Sequence, residues 1–250
     1  MKILIAALLL VVNIANAQNN NKQITASAKG FAVVELFTSQ GCRSCPAADK
    51  VLAEIKAESE KKSMPVYVLS YHVDYWNKYG WMDPFSKFAF TKRQSNYVGA
   101  NQVEEVYTPQ AYINGQNPTL GSDKVKISAA IEKAIAQTPA LNLTAVKSAL
   151  STADTLIIDY TTSKINPNYS LVIAVVQSEA TTKITKGENS GKTLLYNNIV
   201  RDLNITPLES QKGAVKIPVK KLSLKNGFTV LAFAQQKQTK KILAVTQVSL

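Results

Sequence analysis

The stretch FAVVELFTSQGCRSCPAADKVL, residues 31–52, decides the fold of this 250-residue chain. It opens with a short, nearly continuous apolar run at residues 31–37, which is typical of a strand buried on both faces of a parallel sheet. Both cysteines of the chain, Cys42 and Cys45, come next, and the apolar residues after them recur at helical spacing. The stretch therefore predicts a strand, a short loop and a helix that begins at the cysteine pair.

The elements that follow extend this α/β pattern to residue 138. They are a buried strand at residues 66–71, a helix from Asp83-Pro84 to about Tyr97, a hairpin around Asn114-Gly115, and a helix that Ser122 or Asp123 caps and Pro139 ends. Beyond Pro139, seven β-branched runs are separated by turn residues, a pattern that favours a β-sandwich. We therefore predict an α/β domain over residues 30–138 and an all-β, sandwich-like domain over residues 139–250.

The N-terminal residues predict export. In MKILIAALLLVVNIANA, residues 1–17, Lys2 precedes an apolar run, and Ala15-Asn16-Ala17 fits the A-x-A cleavage rule of a signal peptide. The run is shorter than the roughly 20 residues that a membrane span needs. We therefore expect a periplasmic or secreted protein without a membrane span, in which polar residues 18–29 form a flexible lead-in.

The charge of the chain argues against nucleic acid as a partner. The formal net charge is +12, but only three of the 29 basic residues are arginines, namely Arg43, Arg93 and Arg201. Proteins that recognise nucleic acid usually depend on arginine for bidentate contacts, and an exported protein seldom meets nucleic acid. A solvated lysine-rich surface accounts for the charge, and attraction to anionic partners is the alternative.

The spacing of the cysteine pair indicates redox chemistry. At a helix start, the unpaired N–H groups and the positive end of the helix dipole favour a thiolate on Cys42, and Arg43 adds a cation beside it. Cys45 lies one turn further along, where it is able to resolve a mixed disulfide. We predict that Cys42 is the nucleophile and Cys45 the resolving thiol.

Two other uses of the pair remain open. A purely structural disulfide is one, although it closes a very short loop and so gains little entropy. A Cu(I) site made of Cys42, Cys45 and His72 is the other, because Cu(I) accepts few, sulfur-rich ligands. Structural zinc needs four Cys or His ligands, and the chain has only two Cys and one His. Apart from the copper alternative, we expect no cofactor.

His72 and the aromatic loop after it are expected near the pair. His72 follows the second strand, at the sheet edge that the cysteine loop also reaches. It is a proton shuttle, a ligand or an ordinary hydrogen-bonded residue. The loop at residues 74–85 is rich in aromatic side chains and forms a packed cap or a ligand groove, with Trp76 or Trp81 near the site.

Glu35 and the Thr108-Pro109 pair complete the predicted site. Glu35 lies in the first strand, where it either points to solvent or is buried and carries protons for the dithiol. If Pro109 is cis, its loop lies against the cysteines. The order of elements over residues 31–137 resembles the thioredoxin fold. That resemblance implies that Pro109 matches the cis-proline of the fold, that Thr108 faces the disulfide, and that Glu35 stands for the buried acid.

Longer blocks of the sequence resemble a bacterial secreted family known only as domain of unknown function 1223. The blocks are VVELFTSQGCRSCP, HVDYWNKYGWMDPF, RQSNY, VYTPQAYINGQ and KGENSGKTLLYNNIVRDL, which are spread over residues 33–203. The resemblance implies a thioredoxin-like domain followed by a β-rich C-terminal part, with no settled substrate.

One segment is similar to a phosphate-binding loop but does not match the sequence pattern of that loop. In KGENSGKT, residues 186–193, Lys186 stands where the first glycine belongs, and the sequence after it has a strand pattern instead of a helical one. We interpret the segment as a turn between strands, packed against the first domain.

Together these features predict an exported protein like a thiol–disulfide oxidoreductase. Its partners are exported protein thiols or disulfides, with a redox partner protein. Two alternatives remain: a Cu(I)-binding or delivery module, and a redox-sensitive binding protein that is not an enzyme. The direction of electron transfer stays open, because Arg43-Ser44 differs from the Gly-Pro of reducing thioredoxins.

Overall fold

The computed structural model describes residues 30–222, 224 and 227–250. The predicted signal peptide, residues 1–17, and the predicted lead-in, residues 18–29, lie outside the described residues. The helices are α1 (Cys45–Lys61), α2 (Phe88–Ala100) and α3 (Lys124–Ile135). The strands are β1 (Ala32–Thr38), β2 (Val66–His72), β3 (Gln110–Ile113), β4 (Gln116–Leu120), β5 (Leu143–Lys147), β6 (Thr155–Thr162), β7 (Tyr169–Lys183), β8 (Thr193–Pro207), β9 (Lys212–Pro218), β10 (Phe228–Gln236) and β11 (Ile242–Ser249). None of the described helices is long and apolar enough to cross a membrane.

The larger sheet has eight strands in the order β11-β10-β7-β8-β2-β1-β3-β4. β1 and β2 are parallel, and their continuous apolar runs fit strands that are covered on both faces. β3 runs antiparallel to β1 and forms the predicted hairpin with β4. Asn114 and Gly115 make its turn with φ angles of 50° and 75°, a left-handed conformation that favours an Asn-Gly pair.

Helices cover both faces of the β1–β2 pair. Val34 and Leu36 of β1 point to the face covered by α1 and α3. Phe37, with opposite orientation, packs on the α2 face. The carboxyl end of β1 leads directly into the loop that holds Cys42.

The predicted start of α2 at Asp83-Pro84 is wrong. α2 begins at Phe88, because Asp83 is buried and its carboxylate accepts hydrogen bonds from the backbone N–H groups of Gln40 and Phe85. The aspartate therefore ties two loops together instead of capping a helix.

All seven β-branched runs after Pro139 form strands, as predicted. β7 and β8 form a long antiparallel hairpin that extends from Ser170 opposite Pro207 to Lys183 opposite Thr193. β8 also lies parallel to β2, pairing at Ser70 and Ile199, and so connects the C-terminal strands to the main sheet. β5, β6 and β9 form a second sheet of three strands. The fold is mixed α/β, with a large mixed sheet and a smaller sheet beside it.

One hydrophobic core contains residues from both halves of the chain. Phe37 and Tyr71 of the N-terminal half pack in the same cluster as Val172 and Phe233 of the C-terminal half. The position near residue 139 marks a change from mixed to all-β structure, and its role as a boundary between domains stays a prediction.

Candidate functional site

Cys42 and Cys45 form a disulfide at the start of α1, with their Cα atoms 5.4 Å apart. Cys45 is the first residue of α1, and Pro46 follows in the first turn, where a missing N–H costs little. Both cysteines are fully buried, whereas Arg43 and Ser44 between them are exposed. The pair thus lies at a helix start, as predicted, but no sulfur surface is open to solvent.

Thr108 and Pro109 border the disulfide, and the peptide bond between them is cis. The carbonyl oxygen of Thr108 lies 3.9 Å from Cys42 Sγ. Trp76 donates a hydrogen bond from Nε1 to Thr108 Oγ1 at 2.7 Å, which fixes the indole beside this loop. Among the predicted site residues, Cys42, Thr108, Pro109 and Trp76 therefore form one group.

A second side of the cysteine loop is occupied by the tip of the β7–β8 hairpin, residues 184–192, which we call the hairpin tip. The side chain of Asn189 is buried, and its Nδ2 donates hydrogen bonds to the carbonyl oxygens of Gln40 and Cys42 at 3.0 and 2.8 Å. Glu188 accepts a hydrogen bond from the backbone N–H of Arg43 at 2.9 Å. The segment resembling a phosphate loop is thus a turn that leads into strand β8, and it packs against the cysteines.

His72 lies at the end of β2, fully buried, with Nδ1 2.7 Å from Asp83 Oδ2. Its ring packs edge-on against Phe85 and Tyr196. Burial opposes the charged imidazolium, but the Asp83 carboxylate beside it raises the pKa of His72 above its usual value. The same pairing, reinforced by backbone N–H groups, lowers the pKa of Asp83 although burial alone would raise it.

Asp49 is a further acid on this face of the sheet. It lies four residues after Cys45 on α1, so both side chains point to the same side of the helix. Burial raises the pKa of Asp49 to about 7, although the charge of His72 and a hydrogen bond from Thr38 act in the opposite direction. Part of the side chain remains accessible, but Oδ1 is buried.

Several buried polar atoms of this region have no hydrogen-bond partner among the described residues. They are Asp49 Oδ1, His72 Nε2, Tyr196 Oη and Ser70 Oγ. Burial and then the nearby Asp49 and Asp83 carboxylates raise the pKa of Tyr196, which indicates that these groups share one region. Side chains with free donors and acceptors in a buried region are able to hold or pass protons.

Glu35, by contrast, lies on the opposite face of the sheet from α1. Its carboxylate accepts hydrogen bonds from Arg93 Nε at 2.9 Å and from the hydroxyl of Tyr97. Gln235 of β10 completes this network by accepting from Arg93 and donating to Tyr97. The structure therefore does not bring Glu35 to the cysteine pair.

No group of three or more His, Cys, Asp or Glu side chains within the described ranges is arranged to hold a metal ion. In the oxidised pair both sulfurs are bonded to each other, and His72 Nδ1 is engaged with Asp83. Cu(I) binding by Cys42, Cys45 and His72 in the reduced protein stays a prediction. Titration of the reduced protein with Cu(I), compared with H72A, tests it.

Sequence reasoning missed four residues that the structure places at the cysteine loop or beside His72: Asp49, Asp83, Asn189 and Tyr196. Asp49 had a signal, because its spacing from Cys45 puts it on the same helix face. Asp83 was predicted to cap a helix, so its pairing with His72 in the interior was not expected. Asn189 and Tyr196 come from the C-terminal half, and no local pattern announces a contact across more than 100 residues.

Comparisons with known proteins agree with the spread of the sequence blocks. Residues 33–235 match the family described as "Protein of unknown function (DUF1223)". The chain is also similar to a protein from Agrobacterium tumefaciens with a known crystal structure, at 29% identity and a TM-score of 0.65. The similarity covers 89% of this chain and 95% of the other. Among curated proteins, none is similar enough to the chain to count as a match.

Proposed function

We propose that this chain, which belongs to the DUF1223 family of proteins of unknown function, is an exported thiol–disulfide exchange protein. Cys42 is the nucleophile and Cys45 the resolving thiol. The single observation that carries the proposal is the Cys42–Cys45 disulfide at the start of α1, beside the cis Thr108-Pro109 bond. Export is proposed from the signal-peptide pattern of residues 1–17.

The arrangement of strands supports a thioredoxin-like assignment for the N-terminal half. The order β2-β1-β3-β4, with β1 and β2 parallel and β3 and β4 antiparallel, surrounds the helix that begins at the cysteine pair. The order along the chain, which is strand, helix, strand, helix, hairpin and helix, supports the same assignment, because the resemblance was based on it. The cis Thr108-Pro109 bond beside Cys42 supports the assignment, because the same resemblance implies a cis-proline at Pro109.

The proposed reaction is a reversible exchange with partner thiols. A partner thiolate attacks Cys42 Sγ, the bond between the two sulfurs breaks, and Cys45 leaves as a thiolate that takes up a proton. A second partner thiolate then attacks the partner sulfur of the mixed disulfide and releases Cys42. Two partner thiols are thereby oxidised to one disulfide, and the protein gains the two electrons as a dithiol. The reverse sequence oxidises the protein and reduces a partner disulfide.

The test is an exchange assay with a disulfide-containing protein substrate and a thiol reductant. We expect wild-type protein to accelerate the exchange, C42S to abolish the acceleration, and C45S to accumulate a mixed disulfide. The matched control S95A changes an exposed serine of α2 whose Oγ bonds to the carbonyl of Thr91, away from the cysteine pair. Wild-type activity equal to that of C42S would refute the proposal.

Trapping with C45S in the native exporting bacterium identifies the partners. Mixed disulfides isolated from the exported fraction would name the exported proteins that react with Cys42. The measured reduction potential then assigns the direction of electron transfer, because it is compared directly with the potential of each trapped partner.

A further inference from the structure

We infer that the hairpin tip, residues 184–192, is a cover that must leave the cysteine loop before a partner sulfur reaches Cys42, and that Asn189 is the latch that holds it closed. The inference rests on the proposed function and adds its regulation. It also gives a role to the segment that resembles a phosphate loop.

The burial of the pair is the first observation behind this inference. A thiolate attacks a disulfide along the axis of the S–S bond, from the side opposite the leaving sulfur. Neither Cys42 nor Cys45 has accessible surface, although the residues between them are exposed. The observed conformation therefore offers no approach to Cys42 Sγ, and a neighbouring segment has to move.

The contacts of the hairpin tip show where the movement is expected. Asn189 holds the carbonyl groups of Gln40 and Cys42, the residues at either end of the turn that contains Gly41. Lys192 donates a hydrogen bond to Asn189 Oδ1 at 2.9 Å and so orients the amide. Asn189 is buried, while the neighbouring residues 185–188 and 190–192 are exposed. Apart from Ile184 at its base, Asn189 is the one buried residue of the hairpin tip, and the backbone of Gly187 lies close to Trp81.

The hairpin tip is closed by its own backbone hydrogen bonds, so it is able to keep its shape if it moves. Ile184 at its base is buried, and it exchanges backbone hydrogen bonds with Gly191 and Lys192 that close the turn on itself. Gly187 has a φ of 74° and Gly191 a φ of 85°, conformations that glycine adopts without strain. The opposite side of the cysteine loop is different, because Thr108 and Pro109 lead into the buried strand β3 and are fixed by Trp76.

Glu188 connects the position of the cover to the state of Cys42. Its carboxylate accepts from the Arg43 N–H, at the start of α1, where a Cys42 thiolate would draw on the same positive helix end. The two negative groups repel each other, so formation of the thiolate weakens the contact of Glu188. By linkage, a closed cover disfavours the thiolate and an open cover favours it.

The experiment measures how fast a small reagent reaches the disulfide. Oxidised wild-type protein, N189A and the control S190A are reduced with tris(2-carboxyethyl)phosphine under identical conditions. We expect N189A to react about tenfold faster, because two hydrogen bonds of the closed form are lost. S190A should react like the wild type, since Ser190 Oγ bonds only to Thr185 within the tip. Far-UV circular dichroism and thermal unfolding establish that each variant is folded.

E188Q keeps the inference testable if N189A fails to fold, because Glu188 is exposed and its change does not touch the core. Reduced E188Q should be alkylated at Cys42 faster than reduced wild type at neutral pH, with E209Q as the exposed control. Rates within about twofold of wild type for both N189A and E188Q would overturn the inference. So would equal acceleration in N189A and S190A, which would indicate general loosening.

The outcome is separable from that of the proposed function. Reduction by a phosphine needs no exchange partner, so a negative result in N189A leaves the comparison of wild type with C42S intact. Conversely, faster reduction of N189A in a protein without exchange activity would support the cover and refute the proposed function.

Discussion

Each face of the β1–β2 sheet carries an acid, and the two acids have opposite surroundings. On the α2 face, both oxygens of Glu35 are bonded to Arg93 or Tyr97. On the α1 face, Asp49 Oδ1 and His72 Nε2 have no partner among the described residues. The difference shows that a buried acid does not by itself indicate a role in catalysis or proton transfer. A completed network fixes structure, whereas an incomplete one leaves titratable groups with donors or acceptors that no described residue uses.

Removal of Arg93 should have the largest effect on stability. In R93M the carboxylate of Glu35 loses its buried cation, and we expect the free energy of unfolding to fall by about 3–5 kcal/mol. Urea unfolding followed by circular dichroism measures the change. R43M, at an exposed position, should unfold like the wild type. A loss as small as that of R43M would show that the Glu35 network does not stabilise the fold.

The hydroxyl of Tyr97 should be the next most important part of the same network. It accepts from Arg93 and Gln235, and it donates to Glu35. Y97F leaves three buried partners incompletely bonded, so we expect a loss of about 1–3 kcal/mol in the same unfolding experiment. Y79F removes a hydroxyl from a largely exposed ring and is the control. Equal stability of both variants would contradict the completed network.

The acid and the histidine on the α1 face should affect how the free energy of unfolding depends on pH, instead of causing a large loss of stability. The folded-state pKa values of Asp49 and His72 are both raised, so the folded protein holds these protons more tightly than the unfolded chain. Stability should therefore fall as the pH rises from about 4, where an unfolded aspartate loses its proton. The loss from Asp49 should be complete near its folded pKa of about 7, and the loss from His72 should continue above pH 6.5. Asp83, with a lowered pKa, adds a loss only in acid. In D49N the free energy of unfolding should depend less on pH than in the wild type. An unchanged slope would mean that the protons released in this range do not come from Asp49.

His72 offers a direct measurement, because it is the only histidine of the chain. We expect its NMR titration in the wild type to give a pKa above 6.5. Besides Asp49 and Asp83, the charged group near it is Arg201, which lowers this pKa. D49N removes a negative charge and should move the His72 titration to lower pH. A titration that is identical in both proteins would mean that Asp49 and His72 are not coupled.

The smallest effect on stability is expected from an ion pair on the surface. Lys124 bonds to Glu54 and Glu58 across the outer surface of α1 and α3. Solvent screens such pairs, so K124A should unfold within error of the wild type at physiological salt and change the slope with pH very little. A destabilisation as large as that of Y97F would show that this surface group matters as much as the buried network.

Much of the fold was predictable because its signals are local. The apolar run before Cys42, the Asn114-Gly115 turn and the β-branched runs after Pro139 each predict an element that the structure contains. The site was predictable where it depends on neighbours in sequence, as for the cysteines, Thr108-Pro109 and Trp76. Glu35 shows the limit: a strand pattern indicates that a residue is buried, but not which face of the sheet it occupies or what pairs with it.

The remaining parts depend on contacts between distant segments. Asn189 meets Cys42 across 147 positions of sequence, and Gln235 completes the network of Arg93 across 142. Such contacts follow from the pairing of β8 with β2, for which a single chain carries no local pattern. A register shift of one residue in that pairing would move Tyr196 away from His72.

The core shared between the two halves bears on how the protein can be handled in the laboratory. A fragment of residues 30–138 would retain the disulfide and its helix but would lose Val172, Phe233 and Val245 from the cluster that covers Phe37 and Tyr71. The uncovered face would be a broad apolar patch beside an open strand edge, a combination that promotes self-association. Aggregation of such a fragment would reflect its missing cover and carry no information about the chemistry of its cysteines.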